Sequence, residues 1–370
     1  MRRAMGATLP LTTVTSSQTG ADVHYGTVLA GCTTLRLGGP AARFVKATRS
    51  ADLVDAVRAA DADGDDVLVL GGGSNLVVAD DGFDGTVIQV ATHGTGYDRL
   101  GDGSVQLTVE AGMDWDVTVA RTVAEDLGGL ECLSGIPGLV GAVPVQNVGA
   151  YGVEVADVLV SVDLLDRRSG QVRTVSAADL GLGYRTSVLK GANSAVVLRV
   201  RFVLADGGLS APIRYSELAR VLGVAVGARV PVADARAAVV ELRRGKGMVL
   251  DPADHDTWSC GSFFTNPVVP DGALPAVRAA AGDDMPTYPA GVGRTKLLAA
   301  WLIERAGFRR GYLGPGGRVA LSSKHTLALT NRGSASTADL LALARTVRDG
   351  VRDRFGVELL PEPVLVGCTL

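Results

Sequence analysis

Lysine is nearly absent. Lys46, Lys190, Lys246, Lys296 and Lys324 are the only five in 370 residues, and arginine carries most of the positive charge. Each lysine is therefore more informative than usual. Cysteine is scarce too. Cys32, Cys132, Cys260 and Cys368 lie far apart with no C-x-x-C pair, and His24, His93, His255 and His325 do not cluster with them. That spacing argues against a zinc site or a disulfide framework, so no metal is expected and a reducing cytoplasm is the default. No apolar run approaches the roughly 20 residues of a membrane span. The net charge is -3 and no basic stripe occurs, so nucleic acid is not an expected partner. Nothing fits the phosphate-loop pattern G-x-x-x-x-G-K-S/T. The first residues are weakly basic, then Thr-rich and broken by Pro10. They have no apolar core of signal-peptide type, so residues 1–20 read as a disordered tail.

What the chain has is glycine, 48 of them, and apolar residues at 47% with a mean hydropathy of +0.25. That supports sizeable cores, and the length predicts two or three domains. One stretch stands apart. Ser134 to Gly152 carries no charge, holds Gly135, Gly138, Gly141, Gly149 and Gly152, and is stiffened by Pro137 and Pro144. Such chain can bring its backbone close to a ligand, and its free N–H groups can form a concave anion site. It can equally be a plain buried connection between strands, and composition alone weighs the two evenly.

In order, Thr34–Leu37 and Phe44–Val45 read as strands around a Gly38-Gly39 turn, and Ser50 is placed to cap a helix over 51–62. A strand over 66–70 runs into Gly71-Gly72-Gly73-Ser74-Asn75, then into strands over 76–78 and 85–90. The dinucleotide fingerprint would need glycine at 76, which is Leu76, and a helix next, so this is not a Rossmann turn. A tight hairpin is the plain alternative. Further strands are expected over 105–109, 157–166, 171–175 and 195–204, with a helix over 115–127. Residues 205–212 read as a linker, followed by helices near 215 and over 233–243, and another over 296–306. Strands flank His325 over 319–322 and 326–330, and Ser336 or Thr337 caps the longest helix. The pattern is α+β, with a ligand expected in a cleft between domains.

Five motifs then fall in one order: Gly72-Gly73-Ser74-Asn75; the Ser134–Gly152 stretch with its Ile-Pro-Gly and Asn-x-Gly-Ala-Tyr-Gly; Tyr184-Arg185-x-Ser187; Gly261-Ser262-Phe263-Phe264-x-Asn266-Pro267; and Pro361-Glu362. Over about 30–370 the chain resembles the UDP-N-acetylenolpyruvoylglucosamine reductases, flavoproteins of peptidoglycan synthesis. Tyr215 resembles the substrate-loop tyrosine of their longer, type I subgroup. The resemblance implies an FAD-binding fold of the vanillyl-alcohol-oxidase type in two subdomains, over 21–84 and 85–206. A C-terminal α+β substrate-binding domain would cover 213–361, and a strand within 362–370 would return to the first subdomain. It implies a cytoplasmic monomer that uses non-covalent FAD and NADPH to reduce the enolpyruvyl ether to UDP-N-acetylmuramate, and so serves cell-wall biogenesis, cell shape and division.

The resemblance also assigns residues. Hydride goes from flavin N5 to C3, and charge builds at C2 and its carboxylate, which fits the Arg185 cation. Glu362 is the second stabiliser and is expected to be protonated, since a carboxylate would repel the developing anion. Ser262 is the expected proton donor to C2. Tyr151, Tyr215, Lys246, Asn266 and His325 are expected on the substrate, although a structural or outer position is the commoner role for a histidine such as His325. Gly71, Gly72, Gly73, Ser74 and Asn75 are expected on the cofactor, together with Ser134, Gly135, Ile136, Pro137, Gly138, Gly141, Ala142, Gln146, Asn147, Gly149, Ala150, Tyr151 and Gly152. Two departures touch the site: Thr265 stands where lysine is frequent in the family, and Pro363 follows Glu362. The rivals are another flavin oxidase of the same fold, often with FAD tethered to a His or Cys, and a non-catalytic nucleotide-sugar binder.

Overall fold

The computed structural model describes residues 21–282 and 284–370, and the tail expected over 1–20 lies outside the described residues. The chain opens with an antiparallel pair, β1 (Asp22–Val28) and β2 (Pro40–Ala47). Helix α1 (Ser50–Asp63) crosses to β3 (Val67–Leu70), a short β4 (Leu76–Val78) follows, and β5 (Phe83–Val90) inserts parallel between β2 and β3. In β3 and the middle of β5 both faces are covered, so successive residues are apolar rather than alternating. Val45, Ile88 and Val90 face α1 through Leu53, Val57 and Ala60. Phe44, Leu70 and Val87 face Leu29, Val78 and Val366.

Two expectations fail here for tertiary reasons. Residues 34–37 are not a strand. A 3-10 turn at Leu29–Cys32 leads into irregular chain in which Arg36 has φ 55, and Gly39 runs so close to the next loop that a Cβ would lie 2.0 Å from the Asp80 carbonyl oxygen. Ser50 does not cap α1. It is the first helical residue, and its Oγ donates to Glu110 Oε2 at 2.5 Å.

The second sheet uses β6 (Thr95–Arg99) and β7 (Ser104–Glu110). After α2 (Trp115–Ala124) come the two-residue strands β8 (Leu127–Gly128), β9 (Gly149–Ala150) and β10 (Val153–Glu154), then β11 (Leu159–Asp166), β12 (Gln171–Ser176) and β13 (Ala195–Asp206). Its order is β12-β11-β13-β7-β6, with β8 on the far end of β13, and β9 pairs with β10 apart from it. The half-exposed pattern of β7 buries Val105, Leu107 and Val109 on one side.

Helices α3 (Ser216–Leu222) and α4 (Val232–Gly245) pack into the same core through Ile213, Leu218, Ala219, Ala235 and Val239. A third domain expected to start at 213 thus meets a different packing, with α4 set against α2 and the turn at Glu131–Leu133. The expected division at 84/85 likewise falls inside β5. Residues 207–212 are not a free linker: the fully buried Glu131 accepts from the N–H groups of Gly129 and Ala211, each at 2.6 Å.

The remaining chain forms a separate core. It contains β14 (Val268–Pro270), α5 (Leu274–Ala281), β15 (Thr287–Pro289), β16 (Arg294–Leu297), α6 (Ala299–Arg305), β17 (Val319–Leu321), β18 (Leu329–Asn331) and α7 (Thr337–Phe355). The helix expected from 296 begins three residues later, because Arg294–Leu297 pairs with β14 and β15. Ser336 caps α7, its Oγ accepting from Asp339 N at 3.1 Å while Asp339 accepts from Ser336 N at 3.0 Å. The last strand, β19 (Val364–Val366), returns to pair in parallel with β4. That return carries Glu362 back to the first glycine loop.

Candidate active site

Two glycine loops form one wall of the site. Gly72 faces Gly138 so closely that a Cβ on Gly72 would lie 2.8 Å from the Gly138 Cα, and one on Gly138 would lie 2.9 Å from Ser74 Oγ. Asn75 Nδ2 donates to Gln146 Oε1 across the same gap at 3.2 Å. The first loop does not form a hairpin, since β3 and β4 belong to different sheets. It is braced from below by Thr34, whose N–H donates to the Gly73 oxygen at 3.2 Å.

The second loop hangs from the start of α2. Trp115, fully buried, donates from Nε1 to the Leu133 oxygen at 3.0 Å, and its N–H donates to the Gly138 oxygen at 3.0 Å. Asp116 accepts from Gly135 N at 2.6 Å and from both Arg236 Nη atoms, at 2.6 and 3.0 Å. Burial raises the Asp116 carboxyl, but these donors outweigh it and hold it below the usual carboxylate range.

A cavity of about 390 Å³ lies against this wall. It brings together Gly71–Asn75, Ile136, Pro137, Gly138, Ala142, Gln146 and Gly149 with Arg185, Ser262 and Glu362. Other residues expected on the cofactor do not line it. Ser134 is buried and its Oγ donates to the Glu131 oxygen at 2.7 Å. Gly141 backs onto Ala111, whose Cβ would be 2.6 Å from an added one. Asn147, at φ 45, spends its amide on Glu154, Gly183 and Ala156. Gly135, Ala150 and Gly152 are also absent from the lining. Ser134, Gly135, Gly141 and Asn147 thus shape the loop through their own contacts within the protein.

Arg185 sits in a turn closed by mutual N–H to oxygen bonds between Gly183 and Thr186, at 3.1 and 3.2 Å. Its Nη2 donates to the Gly149 oxygen at 2.6 Å, and the Tyr184 ring lies 5.4 Å from its guanidinium carbon. Ser187 Oγ fastens the same loop to the Val145 oxygen at 2.6 Å. On the opposite side, Ser262 lies between Gly261, at φ 80, and the fully buried Phe263. Glu362 N donates to the Phe263 oxygen at 2.9 Å, so both chemical side chains hang from one backbone pairing. Pro363 is accommodated between donors: the next N–H, of Val364, bonds the Asn75 oxygen at 2.9 Å. Thr265 is spent on the Leu360 oxygen through its own N–H at 3.0 Å. Burial pushes the Glu362 carboxyl above its ordinary value, and Arg185 and then Lys190 oppose the rise.

The residues expected on the substrate form a second group outside this lining. Tyr151 and Tyr215 meet edge-on at 5.5 Å, and Lys246 Nζ lies 5.9 Å from the Tyr151 ring and 2.7 Å from Glu217 Oε2. Burial is the largest influence on the Lys246 ammonium and pulls it down, but the Glu217 bond together with the charges of Tyr151, Glu217 and Tyr215 outweighs it and leaves its affinity for the proton raised. Burial, with the charges of Lys246, Arg310 and Arg243, drives the His325 imidazole down to about 4. Asn266 is engaged elsewhere, its Oδ1 accepting from Ala299 N at 3.0 Å.

Sequence reasoning missed Arg243. It lines the cavity, its Nη2 donates to the Met248 oxygen at 2.9 Å, and its buried Nε has no partner among the described residues. Burial lowers its proton affinity. Its signal was present at the end of α4 in Arg243-Arg244-Gly245-Lys246, but only the lysine was singled out. Lys190 also lines the cavity, and its rarity as a residue type was the available signal. Among the described residues no three His, Cys, Asp or Glu side chains could hold a metal ion, and no helix is long and apolar enough to cross a membrane.

Known proteins resemble both parts of this fold. Residues 41–176 match the FAD binding domain, and 251–366 match the UDP-N-acetylenolpyruvoylglucosamine reductase C-terminal domain. The chain is 68% identical to the UDP-N-acetylenolpyruvoylglucosamine reductase of Saccharopolyspora erythraea over 95% of this chain and 98% of that one. It is 59% identical to that of Nocardia farcinica over 96% and 92%. The solved UDP-N-acetylenolpyruvylglucosamine reductase of Thermus caldophilus superposes with a TM-score of 0.62 at 26% identity, covering 94% of this chain and 98% of that one. The architecture is therefore an FAD-binding fold followed by a C-terminal α+β domain, and the chain belongs to the family of UDP-N-acetylenolpyruvoylglucosamine reductases.

Proposed function

We propose that the cavity is where the enolpyruvyl ether of UDP-N-acetylglucosamine is reduced to the lactyl ether of UDP-N-acetylmuramate, with NADPH as reductant and FAD as carrier. The observation that carries this reading is the meeting of Arg185, Ser262 and Glu362 in one cavity against two glycine-rich loops. FAD, when bound, would supply the redox chemistry that carries hydride from NADPH to C3 of the enolpyruvyl group. The residues present fit that cofactor. Gly72 and Gly138 leave a backbone cradle that a Cβ would fill, and Arg243, a cation in the lining, keeps a buried Nε donor with no partner among the described residues.

Charge that develops at C2 and spreads into the attached carboxylate meets the Arg185 guanidinium, which the Gly149 oxygen and the Tyr184 ring hold in place. Glu362, its carboxyl raised by burial, acts in its protonated form and donates a hydrogen bond to the same carboxylate. Ser262 Oγ–H delivers the proton to C2, and the serine recovers one from solvent. Lys246, Tyr151 and Tyr215 bind the diphosphate end of the substrate.

A covalent flavin, as in oxidases that tether it, is disfavoured. The lining holds Cys260 but no histidine, and burial and the charge of Glu362 push that thiol up to about 12, far from a reactive thiolate. All four cysteines are free thiols, which suits a reducing compartment. The reading includes a cytoplasmic monomer, its site built from one chain. The test is an absorbance spectrum of the pure protein, then NADPH consumption with the enolpyruvyl sugar nucleotide. A yellow protein that releases intact FAD on denaturation and oxidises NADPH only with that substrate is expected. A protein that stays colourless after reconstitution with FAD overturns the reading.

A further inference from the structure

Lys190 touches the Arg185 side of the site in a way that no motif announced. Its Nζ donates to the main-chain oxygen of Arg185 at 2.9 Å, and its side chain lines the cavity alongside Arg185 and Glu362. Arg185 needs such a support. It has φ 53, a left-handed conformation that residues other than glycine adopt rarely and hold only when their surroundings fix it. The turn closes through Gly183 and Thr186, and the guanidinium is held by the Gly149 oxygen. The Arg185 carbonyl, turned toward the loop's far arm, is held by Lys190 alone among the bonds of the described residues.

Charge ties Lys190 to Glu362 as well. The groups whose fields reach Glu362 are Arg185 and Lys190, both from the 183–191 loop, and Cys260 from the loop that carries Ser262. Cys260 is a neutral thiol, so Glu362 works between two cations. One of these, Arg185, is to be drawn onto the substrate carboxylate. The other, Lys190, is tied to a peptide oxygen and stays.

We propose that Lys190 is a positioning residue of the reduction: its Nζ clamps the left-handed Arg185 peptide, and its charge sets the field in which Glu362 works. This rests on the reading that Glu362 acts as a protonated carboxyl. Lys190 then has two opposed effects on that group. Its clamp keeps the guanidinium in place, and its charge stabilises the ionised form of Glu362, opposing the burial that holds the proton on. Removing the charge must make Glu362 hold its proton to higher pH.

The experiment is an infrared titration of the full-length holoenzyme, following the carbonyl stretch of a protonated carboxyl. Three variants are compared: Glu362→Gln, Lys190→Met and Lys190→Arg. FAD content and the thermal transition report folding in each. The wild-type band is expected to vanish in Glu362→Gln. In Lys190→Met it should titrate away at a pH higher by on the order of one unit, the usual effect of a nearby charge. Lys190→Arg should bring the titration back toward wild type. Reduction of the enol ether at neutral pH should fall roughly ten- to a hundredfold in Lys190→Met, as for a misplaced catalytic group, and recover in large part in Lys190→Arg. A band that titrates at the wild-type pH in Lys190→Met overturns the proposal, even if the rate falls, because packing alone would do that. A band that survives Glu362→Gln removes the reading of Glu362 itself, and this role of Lys190 with it.

Discussion

Gly72 and Gly138 come from loops 66 positions apart in the chain and leave no room for a single methyl group between them, since a Cβ on Gly72 would lie 2.8 Å from the Gly138 Cα. Neither atom can yield cheaply, because both belong to backbone that is braced on its far side by Thr34 and by Trp115. Gly72→Ala is therefore expected to part the loops. Overpacking of this kind costs about 1–3 kcal/mol, and it falls where the cofactor is to be cradled. The expected outcome is a folded protein whose flavin-to-protein absorbance ratio drops sharply, with a modest fall in Tm. Full flavin content would show that the two loops do not form the cradle.

Ser262→Ala separates the two halves of the reaction. Ser262 has no hydrogen-bond partner among the described residues and lies between Gly261 and the buried Phe263, so losing its hydroxyl should leave the fold intact. Stopped-flow traces should show flavin reduction by NADPH surviving, while oxidation by the enol ether slows by on the order of 10²–10⁴, the usual worth of a positioned proton donor. If both half-reactions slow together, Ser262 shapes the cavity and transfers no proton.

Much of this site was legible because its signals are local. Glycine runs, the Tyr184-Arg185 turn, the Gly261–Asn266 loop and the Ser336 capping box each announce themselves within a few residues. What was not legible depends on distant partners. Residues 34–37 look like a strand by alternation, yet Gly39 must pass under the Asp80 loop and Thr34 must brace Gly73. Helices α3 and α4 follow a glycine-rich connection that reads as a domain boundary, but Glu131 pins that connection from 80 positions away and their apolar faces join the core shared with α2. Arg243 was hidden for the same reason. A helix-end arginine reads as solvated until the fold turns it inward.

Asp116 offers a test of the support behind the second loop. Its carboxylate binds Arg236 at two points and Gly135 N at one. Its proton affinity is lowered on folding, so its contribution to stability is present above the unfolded value near 3.9 and is lost as pH falls through the lower folded value. The side chain is about a third exposed, so solvent screening limits the contribution to roughly 1 kcal/mol. Asp116→Asn should lower stability by about that much at pH 7 in urea unfolding, and the gap from wild type should close at acid pH. A gap independent of pH would assign the effect to packing.

His325 sits among cations, and that decides what it can do. Burial comes first, then Lys246, Arg310 and Arg243, and together they bring it down to about 4. An imidazole so depressed is neutral throughout the range in which the enzyme is to work, so it can neither serve as an acid at pH 7 nor offer a charge to a phosphate. Its folded value lies below the ordinary 6.5, so protonation opposes folding: stability is whole above the ordinary value and falls as pH drops through it. The imidazole C2 proton should therefore titrate near pH 4 by NMR. His325→Gln should leave the pH dependence of the enol-ether half-reaction between 5 and 8 where it was. A pH limb in that window that disappears in His325→Gln would mean that bound substrate raises this imidazole. Its place beside Lys246 would then belong to the binding of the diphosphate rather than to the packing of the C-terminal domain.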